Sequence, residues 1–132
     1  MAKILIVEDE NTPRQILTKV LTRDGHEVRA AGNSQEAIDI GKEFEPGILL
    51  ADWLLTDAKS GLSVAEQLRQ LHPHVRILFF TGLPIHKLEI EAQHLRPVRF
   101  LEKPCEFSVL RAAIQDELAE SAKRSSPAST II

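Results

Sequence analysis

The stretch Ile48-Leu49-Leu50-Ala51-Asp52 decides the fold that this 132-residue chain is predicted to adopt. Its four apolar residues are too few for a helix, and such a run is typical of a strand buried on both faces. The run ends on a carboxylate, and open α/β sheets bind their ligands at the carboxyl ends of the strands. We therefore predict that Asp52 lies at the functional edge of a sheet.

Similar short apolar runs lie on both sides of this stretch and alternate with segments of helical spacing. They predict strands over residues 3–7, 48–51, 75–80 and 98–101, and a weak alternation of polar and apolar residues suggests a short strand over 27–31. Helices are predicted from a capping box at Thr12 to Gly25, from a cap at Asn33 to Pro46, and over 62–71, 84–95 and 107–118. This alternation predicts an α/β fold, a single doubly wound (βα)5 domain whose parallel sheet has helices on both faces.

Composition restricts the classes of function. A net charge of −3 without a Lys/Arg run excludes a nucleic-acid footprint, and no apolar segment approaches the length of a membrane span. The single cysteine, Cys105, cannot form an intramolecular disulfide, so a reducing, cytoplasmic setting is expected. We assign residues 1–120 to one domain and predict that the serine-rich tail 121–132 is mobile.

Parallel strands place their carboxyl ends along one edge, so the polar residues that follow them should meet. Glu8, Asp9 and Asp52 would crowd together, and three carboxylates repel one another unless a cation intervenes. Mg²⁺ suits such an oxygen site, with Mn²⁺ as a possible substitute. Asp9 and Asp52 are the predicted direct ligands, Glu8 acts through water, and the backbone carbonyl of Leu54 completes the set.

The other two strand ends supply groups that could bind a phosphoryl group. Lys103 offers a compact positive charge and Thr81 a hydroxyl, and phosphoryl transfer depends mostly on such positioning and charge stabilisation. A carboxylate is already ionised at neutral pH and can act as the nucleophile. Asp52 is therefore the predicted phosphoacceptor.

Four short motifs at these strand ends are ILIVED at 4–9, ILLAD at 48–52, FFTG at 79–82 and FLEKP at 100–104. With them the chain resembles the receiver domain of bacterial two-component response regulators, over about residues 2–120. The resemblance implies a sheet order of 2-1-3-4-5 and magnesium-dependent phosphoryl transfer to Asp52 from a histidine kinase or a histidine phosphotransfer protein. It implies that Lys103 and Thr81 contact the phosphoryl oxygens, that Phe100 is an aromatic switch coupled to Thr81, and that the peptide bond before Pro104 is cis.

The loop after Asp52 departs from the family pattern. The usual proline and glycine positions are held by Thr56 and Ser60, and a glycine follows one residue late, at Gly61. Trp53 is interpreted as a shield at the pocket rim. Two apolar residues flank the expected phosphoryl site, Leu54 and Leu83, and we hypothesise that they hinder an attacking water and prolong the phosphorylated state.

Several functions are compatible with these features. The leading interpretation is a stand-alone switch without turnover of an external substrate, whose target protein binds the face formed by the fourth helix, fifth strand and fifth helix. The chain could instead be a receiver fragment of a larger regulator or hybrid kinase, or a phosphorylation-independent interaction module. A true phosphatase is disfavoured, because the second acid that such hydrolases use is replaced by Leu54.

Overall fold

The computed structural model describes residues 2–55 and 60–124, with side chains as far as residue 122. The predictions that concern Thr56 and the end of the tail, residues 125–132, lie outside the described residues. In the described part of the chain, no helix is both long enough and apolar enough to cross a lipid bilayer.

Five parallel strands form one sheet in the order β2-β1-β3-β4-β5, which confirms the predicted fold. The strands are β1 (Lys3–Val7), β2 (Glu27–Ala31), β3 (Ile48–Asp52), β4 (Arg76–Thr81) and β5 (Val98–Glu102). The α-helices are α1 (Asn11–Arg23), α2 (Ser34–Phe44), α3 (Gly61–Leu71), α4 (Ile85–Glu91) and α5 (Phe107–Arg124). A short 3₁₀ turn, Gln93–Leu95, follows α4.

The sheet divides the core into two layers, because successive side chains of a strand point to opposite faces. Along β3, Leu49 and Ala51 pack into one layer, whereas Ile48 and Leu50 pack into the other. Every residue of β3 is buried, as the continuous apolar run predicts for a central parallel strand. Burying each such large side chain contributes roughly 1.5–3 kcal/mol, so the two layers fix the position of β3 and of its last residue, Asp52.

Three helices differ at one end from their predicted positions, and two of these differences concern the start of α1 and the end of α5. The capping box at Thr12 does not form, because α1 already begins at Asn11 with Glu10 as its N-cap residue. Glu10 takes that position because its carbonyl accepts the first helical hydrogen bond, while its N–H donates to the Glu8 carboxylate at 3.1 Å. At the other end of the chain, α5 continues to Arg124, four residues into the segment assigned to the tail.

Other predicted ends agree with the structure. Asn33 caps α2 by accepting a hydrogen bond from the N–H of Glu36 at 2.9 Å. Gly25 follows the end of α1 with a φ of 94°, a left-handed conformation that favours glycine. The Lys103–Pro104 peptide bond is cis, as the family resemblance implies. The exception is α4, whose regular helix ends at Glu91, before the predicted end at Leu95, and is followed by the 3₁₀ turn.

His26 gives the fold a dependence on pH. Its ring is buried, and Nδ1 accepts a hydrogen bond from the N–H of Ala2 at 3.1 Å, which requires that nitrogen to be unprotonated. Burial lowers the pKa of His26 below its usual 6.5. Because the unfolded chain then takes up the proton more readily, this contribution to stability is complete above pH 6.5 and is lost as the pH falls through the folded-state pKa.

We predict that His26→Gln flattens this dependence. Between about pH 8 and about pH 5, the free energy of unfolding should fall further in the wild-type protein than in the variant. Urea denaturation at both pH values measures the difference. His86→Gln is the matched control, since His86 is exposed. Equal losses in the wild-type protein and in His26→Gln would contradict the prediction.

Candidate functional site

The three predicted metal ligands lie together at the carboxyl edge of the sheet. One oxygen from each of Glu8, Asp9 and Asp52 lies within 4.8 Å of the others. Glu8 and Asp52 are buried, whereas Asp9 is half-buried and closer to solvent. The β1–β3 pairing, Val7 with Ala51, produces this proximity because it aligns the two strand ends.

Lys103 enters the same pocket from the end of β5. Its Nζ lies 2.5 Å from Asp52 Oδ1 and 3.8 Å from Glu8 Oε1. Partial burial opposes the charged ammonium, but the hydrogen bond and the negative charge of Asp52, with Glu8, outweigh it and raise the pKa of Lys103. The side chain is still 43% exposed, so an incoming group can reach the ammonium from solvent.

The negative charge of Glu8, Asp9 and Asp52 together exceeds the positive charge of Lys103. Burial, followed by the neighbouring Asp52, raises the pKa of Glu8 from 4.5 to about 7. With all three carboxylates ionised, Lys103 would leave a formal excess of two negative charges, which matches one divalent cation. The donors are all oxygen atoms, and the exposed side of Asp9 leaves access for water. This donor set fits Mg²⁺ or Mn²⁺.

Thr81 is the last residue of β4, at the same edge of the sheet as Asp52. Its side chain is buried, and Oγ1 accepts a hydrogen bond from the N–H of Leu83 at 2.8 Å. A hydroxyl that accepts one bond can still donate its own proton. The carbonyl of Thr81 also accepts from the N–H of Lys103 at 2.8 Å, so the two residues are held side by side by the main chain.

Phe100 belongs to a cluster of three aromatic rings. Its ring stacks on Phe79 at 5.5 Å between centroids and lies 5.9 Å from the ring of Trp53. The interpretation of Trp53 as a rim shield is wrong, because its side chain is only 6% exposed and packs edge-on against Phe79. Trp53 directly follows Asp52 in the chain, and its ring lies beside that of Phe100, the predicted switch aromatic.

The two apolar residues predicted to flank the site lie at its surface. Leu54 is 63% exposed and Leu83 is 40% exposed. Both follow a strand end directly, Leu54 two residues after Asp52 and Leu83 two residues after Thr81. Their exposure leaves them available to cover a group bound at Asp52.

Gly61, the first residue of α3, has a role at the site that the motifs did not predict. A Cβ atom at this position would lie 2.0 Å from the carbonyl oxygen of Asp52, far inside van der Waals contact. The N–H of Gly61 also donates to the carbonyl of Trp53 at 2.9 Å. The helix therefore rests directly on the backbone of the predicted phosphoacceptor. The only signal in the sequence is a glycine displaced by one residue from its usual position.

A model of the family described as "Response regulator receiver domain" matches residues 4–115. The chain belongs to this family. Receiver domains of two-component systems bind Mg²⁺ at an acidic pocket and interact with histidine kinases or phosphotransfer proteins. In general they act as signalling switches rather than as enzymes that turn over an external substrate.

Relatives of different lengths resemble this receiver domain. The response regulator receiver protein CpdR of Brucella abortus is 29% identical over 79% of this chain and 86% of its own length. Sporulation initiation phosphotransferase F of Bacillus subtilis is 24% identical over 88% of this chain and 93% of its own length. By contrast, the chain spans only 24% of the transcriptional regulator NtrC of Azospirillum brasilense, with 25% identity over 89% of this chain.

Solved structures show the same fold. A response regulator receiver domain protein from Clostridium thermocellum superposes with a TM-score of 0.82 at 27% identity, covering 91% of this chain and 96% of that one. The chemotaxis protein CheY4 of Vibrio cholerae has a TM-score of 0.81 at 23% identity, covering 88% of this chain and 98% of that one.

Substitution of Gly61 should disturb both stability and the site. Alanine is normally better than glycine in a helix, so Gly61→Ala would stabilise the protein slightly if there were no clash. The overlap with the Asp52 carbonyl instead predicts a loss of about 1–3 kcal/mol in the free energy of unfolding. Chemical denaturation measures it. In the control, Gly47→Ala, the added Cβ meets its nearest atom at 3.9 Å, and little change is expected. Equal stability of the two variants would refute this account of Gly61.

Proposed function

We propose that this receiver domain is a phosphorylation switch in which Asp52 accepts a phosphoryl group from a phosphohistidine of a histidine kinase or phosphotransfer protein. The observation that carries the proposal is the 2.5 Å contact between Lys103 Nζ and Asp52 Oδ1 inside a cluster of three carboxylates. A structural ion pair alone would not require two further acids beside it. A site that binds a cation and a phosphoryl group would.

The proposed transfer is a displacement at phosphorus. A carboxylate oxygen of Asp52 forms a bond to phosphorus while the bond between phosphorus and the histidine nitrogen breaks, and the nitrogen retains that electron pair. The product is an aspartyl-phosphate. Lys103 and the Thr81 hydroxyl are proposed to bind the phosphoryl oxygens, for which an ammonium and a hydroxyl donor are suited.

Glu8, Asp9 and Asp52, with the Leu54 backbone carbonyl, are the residues proposed to hold Mg²⁺, and Mn²⁺ could take its place. When bound, the ion neutralises negative charge that builds up on the transferred group. The assignment is supported by the geometry, because one oxygen from each of the three carboxylates lies within 4.8 Å of the others and oxygen donors suit both ions.

The signal is proposed to pass from Thr81 to Phe100. Phosphorylation would draw the Thr81 hydroxyl toward the new group, away from its contact with the N–H of Leu83. Phe100 is half-buried and packs against Phe79 and Trp53, so a change in this cluster can alter its exposure. Phe100 lies in β5 and lines a groove together with residues of α4 and α5.

The target protein is proposed to bind the face formed by α4, β5 and α5. A groove of about 560 Å³ is lined by residues of all three elements, among them Ile85, Arg99 and Glu117. Glu117 is buried and accepts hydrogen bonds from Arg76 at 2.8 Å and from Arg99 at 2.9 Å, which ties α5 to β4 and β5. The simplest form of this proposal is that the protein functions as a stand-alone receiver. An immunoblot of cells that produce it tests this, because a stand-alone receiver should have the size of this 132-residue chain and a larger regulator should not.

Phosphorylation by a small-molecule phosphodonor tests the proposed chemistry. With Mg²⁺ present, intact-mass spectrometry should detect one phosphoryl adduct on the wild-type protein and none on Asp52→Asn. Chelation of the metal should abolish the adduct. The matched control is Asp116→Asn, since Asp116 is 65% exposed on α5 and should not affect labelling.

Each alternative outcome has a distinct meaning. Labelling that persists in Asp52→Asn would place the acceptor elsewhere. A folded wild-type protein that accepts no phosphoryl group under any condition would refute the switch and favour a phosphorylation-independent interaction module.

The lifetime of the phosphorylated state tests the proposed role of Leu54 and Leu83. An asparagine at position 54 could hydrogen-bond a water near the phosphoryl group, whereas leucine excludes it. We therefore expect Leu54→Asn to speed the loss of the adduct severalfold, measured by intact mass over time. Leu71→Asn is the control, because Leu71 is 45% exposed at the far end of α3. An unchanged decay in Leu54→Asn would disprove the shielding role of this side chain.

A further inference from the structure

The side chain of Arg14, in the first turn of α1, reaches back to the turn that carries the acidic pair. Its Nη1 donates to the main-chain carbonyl of Glu8 at 2.8 Å. Its Nη2 donates to the side chain of Asn11. The planar guanidinium thus uses two nitrogens at once, an arrangement that a lysine ammonium cannot reproduce.

The contact with Glu8 controls the direction of the next residue. The carbonyl of Glu8 belongs to the planar peptide unit that leads into Asp9, so holding this oxygen orients the whole unit. On the other side of the residue, the N–H of Glu8 donates to the carbonyl of Ala31 at 3.0 Å. Both main-chain polar groups of Glu8 are therefore fixed, one by β2 and the other by Arg14.

Helix stability does not explain an arginine at this position. The amino end of a helix carries a partial positive charge, so a cation in the first turn is unfavourable there. The first turn of α1 also contains no acidic residue that would compensate. The favourable side-chain contacts of Arg14 are instead with the Glu8 carbonyl, in the turn before the helix, and with Asn11, the first helical residue.

Gly32, at the end of β2, leaves room for this guanidinium. A Cβ atom at Gly32 would lie 3.1 Å from Nη1 of Arg14, closer than ordinary van der Waals contact. Among the described glycines only Gly25 has a positive φ, so the backbone of Gly32 does not require glycine, whereas a side chain there would crowd the guanidinium by a few tenths of an ångström. The Arg14 side chain, from α1, thus lies between the turn at Glu8 and the loop after β2, where Gly32 has no side chain.

We propose that Arg14 is a positioning residue for the cation site, which acts through the Glu8 carbonyl and occupies space left by Gly32. The inference rests on the proposed function, because it concerns the site at which that function needs a divalent cation. Residues that orient metal ligands typically change metal affinity about 10- to 100-fold when they are replaced.

Direct metal binding, without any phosphodonor, provides the test. Mn²⁺ is titrated into the full chain, and the electron paramagnetic resonance signal of the free ion reports the bound fraction. We expect Arg14→Gln to raise the dissociation constant about tenfold. Gly32→Val, which crowds the same guanidinium without removing it, should also weaken binding.

Matched variants separate positioning from general destabilisation. Arg111→Gln removes another exposed arginine contact of α1, the 2.8 Å ion pair with Asp24 at the opposite end of the helix. Gly47→Ala is the glycine control. Both should keep the wild-type dissociation constant, and melting temperatures of all variants are measured alongside.

The outcomes distinguish this inference from the proposed function. Wild-type affinity in Arg14→Gln, or in Gly32→Val, would overturn the positioning role. Full recovery of affinity in Arg14→Lys would also overturn it, because charge alone would then suffice. A wild-type protein that binds no Mn²⁺ would instead refute the metal site of the proposed function.

Discussion

The contact between Lys103 and Asp52 is the interaction on which the arrangement of the site depends. Three carboxylates, two of them buried, meet at one edge of the sheet, and such a cluster is stable only when protons or cations offset its charge. Lys103 lies 2.5 Å from Asp52 and supplies one positive charge, while burial, followed by the neighbouring Asp52, raises the pKa of Glu8. The site is thus prepared for a further cation by the same burial that makes its own charges costly.

These charged groups stay close together only if the main chain of Asp52 and Glu8 is held in place. Gly61 allows α3 to contact the carbonyl of Asp52, and the Glu8 carbonyl is held by Arg14. On the other side, Trp53 joins Asp52 to the ring of Phe100. The packed rings of Trp53, Phe79 and Phe100 therefore extend from the residue after Asp52 to the groove lined by α4, β5 and α5.

Sequence patterns predicted strands and helix caps correctly where these depend on residues near one another in the chain. Apolar runs identified four of the five strands, and weak alternation identified β2. Asn33 begins α2 and Gly25 follows α1 as predicted, since caps depend on neighbouring residues. Sequence patterns failed where a distant contact decides the outcome. Thr12 has the chemistry of a cap, but the turn held by Glu8 starts α1 earlier. Trp53 was misjudged because burial against Phe79 depends on how β3 and β4 pair.

The sequence by itself determined the alternation of strands and helices, the parallel sheet and the acid, hydroxyl and ammonium at its carboxyl edge. These follow from hydrophobic periodicity and from the shared direction of parallel strands. Only the tertiary structure decided how close the groups come: the Lys103–Asp52 contact, the contact of Gly61 with the Asp52 backbone, and the reach of Arg14 to Glu8. Such distances depend on how both layers of the core pack around the sheet, and no short segment of the chain contains that information.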